Sequence, residues 1–192
     1  ATRYRMVWPV GSQRIDPAEL DRTRVYAAAA EVVTWKGHRA LRLQDGLALI
    51  AGVWLEDGAI EMDLSTDGAC SAGIAFRAAD AANFELAYVR PHCTGQPDAL
   101  QYDPVFNGTN TWQVFDGPRY QAPAQIPADR WLTLRTDVVG GSAVISAGQQ
   151  GPLVIEQLAH GMPARPPSRS DGASSSPFPP KTAPRSRSRP TS

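Results

Sequence analysis

The sequence predicts an all-β protein, an antiparallel sandwich or barrel, and three observations carry that prediction. Short apolar stretches recur at regular spacing, pairs such as Asp-Gly and Asn-Gly punctuate them, and helical periodicity is confined to one short turn. With 192 residues the chain is long enough for one domain with a real core, or for a domain plus a tail.

In order along the chain, residues 1–29 are read as a lead-in partly packed on the sandwich. Within it Asp16 is placed to cap a helical turn over 17–22, with Pro17 at the first helical position. Strands are expected at 31–35, 40–43, 48–55, 59–65, 72–77, 84–90, 100–106, 111–115, 131–138, 143–147 and 153–157. Asp45-Gly46, Asp57-Gly58, Asp67-Gly68, Asn107-Gly108 and Gly140-Gly141 are read as the tight turns between them. Asn107-Gly108-Thr109 also matches a glycosylation acceptor, but the turn is the stronger reading.

Alternation assigns faces in the middle of the chain. Ile60, Met62 and Leu64 share one strand face, matched by Ile74 and Phe76 and then by Phe84, Leu86 and Tyr88. The opposite face then carries Glu61, Asp63, Arg77 and Glu85 among the small residues Gly73, Ala75 and Ala87. Such a face is either a shallow groove or simply a solvated surface. In 131–138, either Trp131, Thr133, Arg135 and Asp137 are buried, or Leu132, Leu134 and Thr136 are.

Net charge is zero but unevenly spread. Of 19 basic and 19 acidic residues, six basic and one acidic lie after Gly161, which leaves the body near −5 and the tail near +5. An acidic body argues against a nucleic-acid-binding fold, which usually shows a basic face. No apolar run approaches the ~20 residues of a membrane helix. The chain opens at Ala1 with no apolar leader behind it, so a signal peptide is expected to be already removed or never present. Residues 162–192 are rich in Pro, Ser and Arg and are expected to be disordered. Their composition is also what a shifted reading frame of a GC-rich gene would produce.

The densest chemistry lies in FELAYVRPHCTGQPDALQYDPVFNGTNTW, residues 84–112. Arg90, His92, Asp98, Gln101, Asn107 and Trp112 crowd a strand end and its loop, although none is needed for strand pairing. Planar hydrogen-bonding groups beside an aromatic ring suit a sugar, which offers hydroxyls at its edge and an apolar C–H face. Each residue has a plainer role as well: Arg90 tying down the loop, Asp98 organising a turn after Pro97, Trp112 packing in the core. His92 has no second histidine near it, and no metal signature is visible, though calcium held by oxygen ligands stays open. In the alternation register Cys70 lies opposite Arg90, so a bridge to Cys93 and two free thiols are both open.

GAIEMDLS, GIAFRAADAANFELAYVRP, PDALQYDPVFNG with Trp112, and IPADRWLTLR follow one another in an order that resembles bacterial concanavalin A-like lectin/glucanase domains, above all the keto-disaccharide hydrolase-like branch. The resemblance covers about residues 30–161 and implies a jelly-roll sandwich of two antiparallel sheets, one of them concave. It implies carbohydrate recognition, with an oligosaccharide or polysaccharide as partner and an extracellular or periplasmic setting. Arg77 joins Arg90, His92, Asp98, Gln101, Asn107 and Trp112 as the expected ligand-binding set. The alternatives are a glycoside hydrolase using Glu61, Asp63 or Asp98, and a structural interaction module with no sugar site. Glucanases of this fold carry Glu-x-Asp-x-x-Glu; here Glu61 and Asp63 match and Thr66 replaces the last acid. The terminal aromatic strand of such domains has no counterpart after Gly161.

Overall fold

The computed structural model describes residues 3–8, 11–16, 18–19 and 23–161. The chain forms an all-β, antiparallel two-sheet sandwich, as the turn-punctuated sequence predicts. In chain order the strands are β1 (Arg3–Trp8), β2 (Gly11–Ile15), β3 (Thr23–Trp35), β4 (His38–Ile50), β5 (Gly58–Leu64), β6 (Ala72–Phe76) and β7 (Glu85–Val89). They continue with β8 (Leu100–Tyr102), β9 (Val105–Phe106), β10 (Thr109–Asn110), β11 (Gln121–Ala122), β12 (Leu132–Val139), β13 (Ser142–Ala147) and β14 (Gln150–Ile155). Among the described residues no helix is long and apolar enough to cross a membrane.

A six-stranded sheet runs β14-β13-β12-β5-β1-β2, and a four-stranded sheet runs β11-β8-β7-β6. The core lies between them. Ile60, Met62, Leu134 and Ile145 of the larger sheet meet Ile74, Phe76, Leu100 and Tyr102 of the smaller one. The alternation in β12 resolves to Leu132, Leu134, Thr136 and Val138 inward. Trp131 lies just outside that strand, with its ring edge-on to His38 at 6.0 Å.

Four expectations are corrected. β3 and β4 form one hairpin that turns at Lys36-Gly37, with Thr23–Trp35 running unbroken across position 30. Asp45-Gly46 is therefore no turn but lies within β4, where Asp45 takes a φ of 46° and interrupts the ladder opposite Ala28. Residues 111–115 are a turn rather than a strand: the Thr111 carbonyl accepts the N–H groups of Val114 and Phe115 at 2.8 and 3.1 Å. The face assignment of β7 also shifts by one residue. Ile74 pairs with Ala87 and Phe76 with Glu85, so Glu85, Ala87 and Val89 face the core while Leu86 and Tyr88 face outward.

Asn107-Gly108 is a tight turn as expected, both residues having positive φ. The Asp16 carboxylate accepts the Ala18 N–H at 2.9 Å and its carbonyl the Glu19 N–H at 3.0 Å; residues 17 and 20–22 of the expected helical turn lie outside the described residues. Residues 162–192 also lie outside them.

Candidate functional site

The outer face of the four-stranded sheet carries a groove of about 750 Å³. Its floor follows from the strand period of two. Leu86 and Tyr88 project outward from β7, Gly73 and Ala75 from β6, and Gln101 from β8. Gly73 sits directly opposite Tyr88 and Ala75 opposite Leu86, so small residues flank large ones and leave a trough beside β7.

Four of the expected ligand-binding residues border this groove: Arg90, His92, Gln101 and Trp112. Trp112 is 53% exposed, which sets aside the reading of it as a core residue. Its segment is held from below. Asn110 Oδ1 accepts the Trp112 N–H at 3.1 Å, and the buried Asp103 carboxylate accepts the Thr111 N–H at 3.0 Å. Burial holds the Asp103 carboxyl above its ordinary range, against the lowering effect of the Thr111 bonds. The Thr111 hydroxyl lies 2.9 Å from Asp103 Oδ1 and 2.6 Å from the Pro104 carbonyl.

Arg90 and Asp98 form an ion pair, and the Arg90 N–H donates to the Ala99 carbonyl at 2.8 Å. The loop-tying role of Arg90 is thus real, and its guanidinium still borders the groove. Asp98 meets the groove only through Arg90, in the turn after Pro97. His92 lies in the 3-10 turn Pro91–Cys93, its Nε2 accepting from Arg90 Nη2 at 3.4 Å.

The other candidates are placed elsewhere. Arg77 reaches the carbonyls of Gly140 and Glu56, clamping the β12–β13 turn. Asn107 sits at a turn tip, where its N–H donates to Asn83 Oδ1 at 3.0 Å. Glu61 and Asp63 alternate with the core residues of β5, so they face outward from the larger sheet, across the sandwich from the groove. There Arg135 donates to Glu61 at 3.1 Å and the Thr133 hydroxyl to Asp63 at 2.6 Å. The shared charged face expected for Glu61, Asp63, Arg77 and Glu85 does not form: Glu85 is buried in the core and the other two acids lie on the opposite sheet. Cys70 and Cys93 are both free. A thiol titration of unreduced, denatured protein is expected to count two reactive groups; a count of zero would mean the pair is bridged.

Tyr88 was hidden from sequence reasoning by the inverted face. Its hydroxyl donates to Gln101 Oε1 at 2.6 Å, and its phenol is pushed up to about 12, chiefly by burial and then by the negative charge of Asp103. It therefore stays a protonated donor at neutral pH. Tyr26 and Leu47, from the β3–β4 hairpin, also line the groove. No local signal in the sequence connects them to residues 84–112. Among the described residues no cluster of three or more His, Cys, Asp or Glu is arranged to hold a metal ion.

No protein-family profile matches the chain, and no curated protein does. Among solved structures the chain is similar to the carbohydrate-binding module CBM66 from Bacillus subtilis. Identity is 17%, with 74% of this chain and 82% of that one covered, at a TM-score of 0.47.

Proposed function

We propose that the groove on the smaller sheet binds carbohydrate and does so without cleaving it. The observation that carries this reading is the exposed Trp112 at the edge of a groove bordered by the Tyr88–Gln101 pair. An indole face takes the C–H side of a pyranose, while amide, phenol and guanidinium groups take its hydroxyls. The volume falls inside the range of roughly 300–1,000 Å³ usual for small-molecule sites.

Recognition is favoured over hydrolysis by where the acids lie. Glycoside cleavage places two carboxyls about 5–9.5 Å apart across one bond. Glu61 and Asp63 face away from the groove, and Asp98 is paired with Arg90.

The test is a pull-down on insoluble cellulose, xylan, chitin and β-1,3-glucan, with the supernatant analysed for released sugar. Protein in the pellet with no sugar released is the expected result. Trp112→Ala is expected to weaken retention at least about tenfold, equivalent to ~1.4 kcal/mol, with melting unchanged. Retention on no polysaccharide would overturn the carbohydrate reading, and released sugar would overturn the non-catalytic one.

A further inference from the structure

The groove has a wall that the four-stranded sheet does not supply. Tyr26 of β3 and Leu47 of β4 line it, although the hairpin pairs with no strand of that sheet among the described residues. The hairpin is fixed near its turn, where Ala40 and Leu41 are buried and Arg39 pairs with Asp16 at 2.7 Å. Its groove-lining residues lie toward the other end.

The interruption in the hairpin ladder falls beside those residues. Asp45 sits at a φ of 46°, next to Gly46, Leu47 and, across the ladder, Tyr26. A Cβ at Gly46 would stand 2.2 Å from the Tyr26 carbonyl oxygen and 2.3 Å from the Ala27 Cα. Only glycine lets the two strands approach so closely there, and that approach sets where Tyr26 stands. Local backbone strain kept beside a cavity is a mark of a functional position.

The floor is long as well as walled. Phe84, Leu86, Tyr88 and Arg90 all border the groove, and alternate residues over six steps of extended chain span about 20 Å. That length exceeds a single sugar ring and suits several in line.

We infer that the β3–β4 hairpin is part of the binding site and that the ligand is an oligosaccharide stretch lying along β7, contacted by Tyr26 as well as by Trp112. This rests on the carbohydrate reading above. Trp112 supplies one aromatic contact and Tyr26, from an element far away in sequence, supplies another. A single sugar ring is too short to exploit the full floor, so affinity should grow with chain length.

The experiment is a calorimetric titration with cello-, xylo-, chito- and laminari-oligosaccharides, from the monosaccharide to the hexasaccharide. For whichever series binds, affinity is expected to rise at least tenfold between one unit and the longer oligomers. Tyr26→Ala is expected to weaken the longer oligomers about tenfold and the monosaccharide less than twofold. Tyr26→Leu, which keeps bulk but loses the ring, should act in the same direction, and Leu47→Ala probes the same wall from the other strand. Val32→Ala, exposed on the hairpin and outside the groove, should leave binding unchanged. Equal affinity for all lengths, or full affinity in the Tyr26 and Leu47 variants while Trp112→Ala still abolishes binding, would overturn the role of the hairpin and leave the sugar site standing. No binding of any oligomer by the unsubstituted chain would overturn both.

Discussion

Replacing Glu85 with alanine is expected to destabilise the protein by about 2–5 kcal/mol, because it leaves the buried Tyr102 hydroxyl and the half-buried His160 N–H without their acceptor, a loss of roughly 1–3 kcal/mol for each donor that is fully buried and less for one that is not. Glu85 is fully buried on the core face of β7. One carboxylate oxygen accepts the Tyr102 hydroxyl at 2.6 Å and the other accepts the His160 N–H at 2.7 Å. Tyr102 in turn accepts the Ala159 N–H at 3.0 Å, and His160 Nε2 donates to the Val105 carbonyl at 2.9 Å. One acid therefore moors residues 159–160 to the smaller sheet. A loss on this scale is a large part of the 5–15 kcal/mol of a typical domain, and denaturant unfolding measures it. A change below about 0.5 kcal/mol would mean that this mooring carries no load.

The same group sets a pH dependence. Burial holds the Glu85 carboxyl above its ordinary value of 4.5, against the lowering bonds from Tyr102 and His160. Stability gained from a raised carboxyl is complete below the unfolded value and is lost as pH rises through the folded one. Asp103 is shifted in the same direction, again chiefly by burial. Asp67 and Asp80 are shifted down by backbone N–H bonds, so their contribution is lost only below their ordinary 3.8. Unfolding free energy is therefore expected to decline as pH climbs from about 4.5, and Glu85→Gln should flatten the slope.

Gly73→Ala is expected to cost on the order of 3 kcal/mol, the upper end for overpacking, and to damage the groove as well. A Cβ there would meet the Ala87 carbonyl oxygen at 2.1 Å, the Tyr88 Cβ at 2.5 Å and the Tyr88 Cα at 2.7 Å. Two of these three are backbone atoms, so no side-chain rotation relieves the clash. β6 is an edge strand of its sheet, and the strain is released by separating it from β7. Hydrogen exchange should quicken in β6 while β12 and β13 keep their protection. Gly141→Ala is the control: nothing lies within 4 Å of that position, and the change should stay within about 0.5 kcal/mol. Equal effects from the two substitutions would show that the close approach at Gly73 does not matter.

Much of this architecture was legible because β5, β12 and β13 obey simple rules. In β5 the apolar residues Ile60, Met62 and Leu64 alternate with acids, and burial follows them. β7 misleads for a definite reason. In ELAYV the charged residue faces the core and an aromatic faces outward, because Tyr102 and His160 satisfy Glu85 inside. Alternation judged by polarity then inverts the strand, moving Tyr88 out of the candidate site and Glu85 onto a surface it never reaches. Asp45-Gly46 misleads differently: the pair favours positive φ, and here that conformation distorts a strand instead of closing a turn. Arg90, His92, Gln101 and Trp112 could be collected because they share one stretch of sequence. Tyr26 and Leu47 could not, since only tertiary structure brings the hairpin beside β7.

The position of β5 in the larger sheet has a bearing on how the chain is made. It lies between β1, already synthesised, and β12, still to come: Glu61 and its partner Arg135 are 74 residues apart. At ~5–20 residues per second that separation corresponds to roughly 4–15 s of translation. Throughout that interval the row of Ile60, Met62 and Leu64 lacks the neighbour that completes its sheet. Pairings of such range slow folding, since loop closure is met before any contact repays it. The larger sheet is therefore finished from the C-terminal third, and a ribosome stalled before β12 would hold an apolar half-sheet with its edge still open.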